Sequence, residues 1–86
     1  MENTNEIEQY KTEIRAFFKE KRKHTVPDDD TDLFESGFVD SLFAIEIVMF
    51  LERTFKIKIK NKEITKDNFR NINEIAAVVA RGKGIA

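Results

Sequence analysis

The 86-residue chain contains no cysteine, one proline, three glycines and a single histidine. Without cysteine, neither a disulfide framework nor a thiolate metal site can hold so small a fold together. Scarce proline and glycine, alongside 36% charged residues, argue against a turn-rich β architecture and for a compact helical one. No apolar run approaches the roughly 20 residues that a bilayer crossing requires. The first residues are polar and hold no signal-peptide core, so the expected location is the cytoplasm, with no membrane partner. The length predicts one domain over residues 1–86. Its stability must come from packing the eight Phe against Ile, Leu and Val.

The same scarcity restricts the chemistry. His24 is the lone histidine and lies in a basic loop, where it reads as an exposed residue rather than a general base. With no cysteine nucleophile and no glycine-rich phosphate loop, these residues assemble no active site, and the chain is not expected to be an enzyme. Asp28, Asp30 and Asp32 fall at positions one, three and five of a calcium loop. Positions six and twelve, which need Gly and Glu, hold Leu33 and Val39 instead. No metal site of that type is expected.

Net charge is −1, but the charges are segregated. Residues 28–52 carry eight acids (Asp28, Asp29, Asp30, Asp32, Glu35, Asp40, Glu46, Glu52) and no base. Residues 53–62 carry five bases (Arg53, Lys56, Lys58, Lys60, Lys62) and no acid. Such a layout disfavours nucleic acid and suits partners with basic docking surfaces; it is equally the layout of an ordinary solvated surface. Lys19, Lys21, Arg22 and Lys23 lack interleaved aromatics and read as cations at a negative helix end rather than as a nucleic-acid patch.

Apolar spacing predicts helices over residues 5–23, 41–55, 63–69 and 72–81. Asn5 and Glu8 have capping-box spacing, and Ile7, Tyr10, Ile14, Phe17 and Phe18 mark one buried face. A long connection over 24–40 follows, with Pro27 excluding helix, Gly37 free of Cβ restriction, and Leu33, Phe34 and Phe38 as anchors. Loops this long in small domains are usually functional. Over 41–55, Ile47, Phe50, Leu51 and Phe55 have core spacing, and Ile45, Val48 and Met49 widen the apolar arc beyond what one core needs. Ile57-Lys58-Ile59-Lys60 alternates but has no partner strand, so it reads as an extended linker tucking in two isoleucines. Ile64 and Phe69 anchor the short helix. Asn71 with Glu74 caps the last, whose buried stripe is Ile72, Ile75, Ala76 and Val79 and which Gly82 stops, leaving 83–86 as a frayed tail. The fold class is all-α: a bundle of three main helices and one short one.

One stretch organises the rest: Leu33-Phe34-Glu35-Ser36-Gly37-Phe38-Val39-Asp40-Ser41-Leu42, running into Ile45-Glu46-Ile47. A glycine turn leads to an Asp-Ser pair at the start of the most apolar helix. Both residues are favoured helix caps, so the pair could do no more than begin the helix. The Ser41 hydroxyl could also be an exposed attachment point.

The stretch resembles the Asp-Ser-Leu motif of acyl carrier proteins, and the order and size of the elements match that family from about residue 7 to residue 81. The resemblance implies an acyl-carrier-like four-helix bundle in which Ser41 receives 4′-phosphopantetheine from coenzyme A. It assigns Asp40 to transferase recognition and helix capping, and Leu42, Phe43, Glu46, Met49 and Glu52 to partner docking. Partners would be a phosphopantetheinyl transferase, an acyl- or aminoacyl-loading enzyme, and a downstream synthase or acyltransferase, with the carrier itself a monomer. Phe43 and Arg53 stand where fatty-acid-synthesis carriers are often acidic. Ser41-Leu42-Phe43-Ala44-Ile45-Glu46-Ile47-Val48-Met49-Phe50 and Asp67-Asn68-Phe69-Arg70 resemble discrete carriers of small units in secondary metabolism. The expectation is therefore a free-standing carrier of a small acyl or aminoacyl thioester in polyketide or hybrid peptide assembly. The alternatives are a D-alanyl or fatty-acid-type carrier, and a small helical interaction module with no prosthetic group.

Overall fold

A computed structural model describes the backbone of residues 2–23 and 25–84, and the side chains of that range from residue 6 onward. His24 and the last two residues of the tail lie outside the described residues, so the expectations placed on them do too. Among these residues, three α-helices follow in order: α1 (Glu2–Lys21), α2 (Ser41–Phe55) and α3 (Ile72–Gly82), with a 3-10 helix, Asn61–Glu63, between the last two. Among the described residues, no helix is long and apolar enough to cross a membrane.

Helix α1 buries Tyr10, Ile14, Phe17 and Phe18, with Ile7 packed against the same core. This is the face set by the three- and four-residue spacing. The helix starts earlier than expected, at Glu2, so Asn5 lies within it rather than at its cap. Nothing in Glu2-Asn3-Thr4 forbids helical backbone, and capping-box spacing alone does not fix a terminus. At the other end Lys23 takes the left-handed conformation, φ 57°, and the chain turns into the long connection.

That connection is anchored more firmly than its composition indicates. Leu33 is fully buried and Val39 is buried, and Phe34 and Phe38 pack against the core. The Leu33 N–H donates to the Arg70 carbonyl at 2.7 Å, and the Val39 N–H donates to Leu33 at 2.9 Å. Gly37 has φ 88°, a region where a side chain is strained, so the glycine is what permits the turn toward Asp40.

Helix α2 buries Phe43, Ala44, Ile47, Val48, Leu51 and Phe55. The segment after it is extended, with Ile57 and Ile59 buried and Lys56, Lys58 and Lys60 exposed, as the alternation predicts. The short helix over 63–69 is not formed. In its place stand the 3-10 helix Asn61–Glu63 and a single hydrogen-bonded turn, in which Phe69 N–H donates to Thr65 O at 3.1 Å. The Thr65 hydroxyl accepts from Asn68 N–H at 3.2 Å, and Asn68 Nδ2 donates to Glu63 O at 2.9 Å. These local side-chain bonds compete with a continuous helix, while Phe69 still anchors the segment in the core.

Helix α3 packs against α1. Its expected stripe, Ile72, Ile75, Ala76 and Val79, is buried throughout, and Asn71 caps it by accepting from Glu74 N–H at 2.8 Å. Gly82 does not stop α3 through its own backbone: it is the last helical residue, and the positive φ falls at Gly84. What Gly82 provides is room. A Cβ there would meet the Ile57 side chain at 3.0–3.2 Å.

Candidate functional site

The site grows from the amino end of α2. Asp40 is extended (φ −119°, ψ −175°) and is the N-cap. Its Oδ1 accepts from the Phe43 N–H at 2.8 Å, and its carbonyl accepts from the Ala44 N–H at 2.9 Å. Capping by Asp40 leaves the Ser41 hydroxyl, one residue on and exposed, outside that role. The backbone N–H groups of Ser41 and Leu42 precede these two at the open, positive end of the helix.

Beyond Ser41, three apolar side chains stand in solvent along one side of α2: Leu42 at 69% exposure, Ile45 at 50% and Met49 at 57%. Glu46 is exposed on the same side. Spacings of three and four make them one stripe. The surplus of apolar surface expected from the sequence is therefore real, and it begins next to the serine.

Two of the expected docking residues are placed otherwise. Phe43 is buried, with 7% of its surface exposed. Its ring stacks on Phe17 at 5.7 Å and meets Phe18 edge-on at 5.7 Å, because the third helical position already faces α1. It belongs to the core and is not available for docking. Glu52 is half-buried, and its Oε2 accepts the Ile59 N–H at 2.9 Å. It fastens the extended segment to α2.

The acidic run before the site is also partly spent on structure. Arg15 grips Asp29 with two hydrogen bonds, and Lys11 lies 3.7 Å from the same carboxylate. The Arg15 hydrogen bond is the main reason the Asp29 carboxyl is held below the usual aspartate range, and the same bond raises the Arg15 guanidinium. Asp32 Oδ1 accepts from the Phe34 and Glu35 N–H groups at 3.1 and 2.9 Å, shaping the turn. These two aspartates are thus tied to a cation and to the backbone rather than arranged toward a common point.

Arg22 is a residue that sequence periodicity does not single out. Its Nε donates to the Phe38 carbonyl at 3.0 Å, and its guanidinium carbon lies 4.1 Å from the centre of the Phe43 ring. As one of four cations at a helix end, it carries no local mark that separates it from Lys19, Lys21 or Lys23; only the fold brings it to the loop.

Comparison with known proteins accords with this geometry. Residues 12–79 match the family described as phosphopantetheine attachment site. Over 46 residues the chain is 39% identical to D-alanyl carrier proteins of Streptococcus pyogenes, serotype M5 (strain Manfredo) and serotype M49 (strain NZ131). The aligned part covers 54% of this chain and 58% of each relative, so the chain spans little more than half the length of those curated relatives. No solved structure matches it. An exposed hydroxyl relieved of capping is free to be esterified, and an open helix end favours the negative charge of a phosphoester. With residues 12–79 matched, the chain belongs to the phosphopantetheine-attachment family: it is a member of the acyl carrier proteins, whose prosthetic group is covalent 4′-phosphopantetheine.

Proposed function

We propose that Ser41 is the attachment residue and that the protein carries a small aminoacyl or acyl group between partner enzymes. The observation that carries this reading is the division of labour at the start of α2. Asp40 caps the helix through Phe43 N–H, and the exposed Ser41 Oγ is left as acceptor in a loading reaction catalysed by a separate phosphopantetheinyl transferase. The positive end of α2 favours the negative charge of a phosphodiester at that oxygen. When attached, the arm supplies a terminal thiol that holds the cargo as a thioester.

The rest of the chain positions and presents. Leu42, Ile45 and Met49 form the apolar part of the docking face and Glu46 its anionic part; partners with a basic rim around an apolar groove fit it. The loading enzyme, any downstream synthase or acyltransferase, and a cytoplasmic location follow from the same reading. Similarity to D-alanyl carrier proteins supports an aminoacyl cargo such as D-alanine. Polyketide or hybrid peptide assembly is the second setting, favoured by the apolar exposed stripe that begins at Leu42.

Intact-mass analysis tests the assignment. Incubation with coenzyme A and a promiscuous phosphopantetheinyl transferase should add one phosphopantetheine to the wild type and none to Ser41→Ala. An unmodified wild type, or an adduct that survives Ser41→Ala, would overturn it. Offering the loaded carrier to a D-alanine-activating enzyme and to a malonyl-type transferase then separates the two cargo settings.

A further inference from the structure

We infer that Arg22 is a positioning residue for Ser41: it clamps both flanks of the Asp40-Ser41 pair to the carboxyl end of α1 and so sets how the serine is offered to a transferase. The inference rests on the carrier reading and deepens it.

Arg22 is the first residue past α1, and its N–H still donates to the Phe18 carbonyl at 2.8 Å. Its side chain therefore leaves a fixed backbone. From there Nε reaches the carbonyl of Phe38, two residues before Asp40, while the guanidinium carbon lies over the ring of Phe43, two residues after Ser41, 4.1 Å from its centre. One turn earlier, on α1, Phe18 meets the same two residues edge-on, Phe38 at 6.5 Å and Phe43 at 5.7 Å. One ring of α1 and the cation just past its end thus hold both the approach to the pair and the departure from it.

The approach needs that hold. It follows Gly37 at φ 88°, and an open hollow of about 270 Å³ lined by Arg22, Thr25, Ser36, Gly37 and Phe38 lies beside it. On the side of that hollow, the Arg22 hydrogen bond to Phe38 is the polar tie that adds to the packing of the Phe38 ring. A planar guanidinium donates in its own plane while stacking on a ring, which an ammonium cannot do. Loss of the clamp leaves the Asp40 cap intact, so the helix survives while the loop samples positions that present Ser41 wrongly. When only a fraction of the molecules is competent to dock, the apparent affinity falls by that fraction.

The test uses Arg22→Met, which keeps an apolar stem over Phe43, and Arg22→Lys. Phosphopantetheine transfer from coenzyme A is measured by steady-state kinetics, and amide hydrogen exchange is measured on the unloaded proteins. In Arg22→Met the KM for the carrier should rise about three- to tenfold with kcat within about twofold. Exchange should quicken at Gly37 and Val39, whose N–H groups donate to Phe34 and Leu33, and stay unchanged in α1 and α3. Arg22→Lys, which restores a donor but not the plane, should lie between the two, and it decides the matter should Arg22→Met fail to fold. Faster exchange throughout the protein with an unchanged KM would assign Arg22 to general stability and overturn the inference. So would wild-type KM and wild-type loop exchange in both variants. Failure of the wild type to accept phosphopantetheine overturns the carrier reading, and this inference with it; normal wild-type loading beside unaltered variants overturns this inference alone.

Discussion

Arg15 on α1 and Asp29 in the long connection face each other in a two-pronged ion pair, Nε to Oδ1 at 3.0 Å and Nη2 to Oδ2 at 2.6 Å. The Asp29 carbonyl accepts from the Asn73 N–H at 3.1 Å. One residue therefore links α1 to the start of α3. Because the carboxyl is held below its ordinary value, chiefly by the Arg15 hydrogen bond, its contribution is fully present above the unfolded aspartate pKa of about 4. It is lost as pH falls through the lower folded value. Asp29→Asn should cost about 1 kcal/mol at pH 7, the range of a well-formed but partly exposed pair. That difference should shrink as the pH is taken down through and below 4, and urea midpoints over pH 2 to 7 measure it.

Asp40 and Ser41 should separate in stability measurements. Asp40→Ala removes the acceptor for Phe43 N–H and should destabilise by about 1 kcal/mol. Ser41→Ala should change stability by less than about 0.5 kcal/mol, as expected at an exposed position away from a cap. Equal losses in the two variants, read by chemical denaturation, would return the capping role to Ser41.

Glu46 is the better probe of docking electrostatics. Glu46→Lys should lower kcat/KM for loading about threefold or more at low salt, with the gap closing at high ionic strength as screening takes over. Its melting temperature should match the wild type. Glu52→Lys should differ, costing about 1 kcal/mol because the Ile59 N–H loses its acceptor.

Gly82→Ala should destabilise by about 1 kcal/mol, although alanine is the better helix former. The new Cβ meets Cδ1, Cβ and Cγ2 of Ile57 at 3.0, 3.1 and 3.2 Å. The crowding, typically about 1–3 kcal/mol, should exceed a propensity gain of about 1 kcal/mol. Thermal unfolding of Gly82→Ala, alone and combined with Ile57→Val, should reveal the coupling between the two positions.

Much of this was determined by the sequence itself. Apolar residues at intervals of three and four placed the buried faces of α1 and α3, the Asp40-Ser41 pair marked the start of α2, and Gly37 marked the turn before it. These are local properties, set by helical geometry and by the conformational range of single residues. The resemblance around Ser41 rests on the same kind of local information.

Tertiary structure decided the rest, because it depends on which surfaces meet. Leu42 and Phe43 are adjacent and both apolar, yet one is open to solvent and the other lies beneath the Arg22 guanidinium. Glu46 and Glu52 look alike along the chain, but the returning segment claims only Glu52. The short helix before α3 gave way to side-chain bonds at Thr65 and Asn68. Arg22 became the neighbour of Phe38 and Phe43 only when α1 packed beside the loop. Periodicity reports which side of an element is apolar; contacts between residues distant in sequence settle what lies against it, and those contacts hold Ser41 in place.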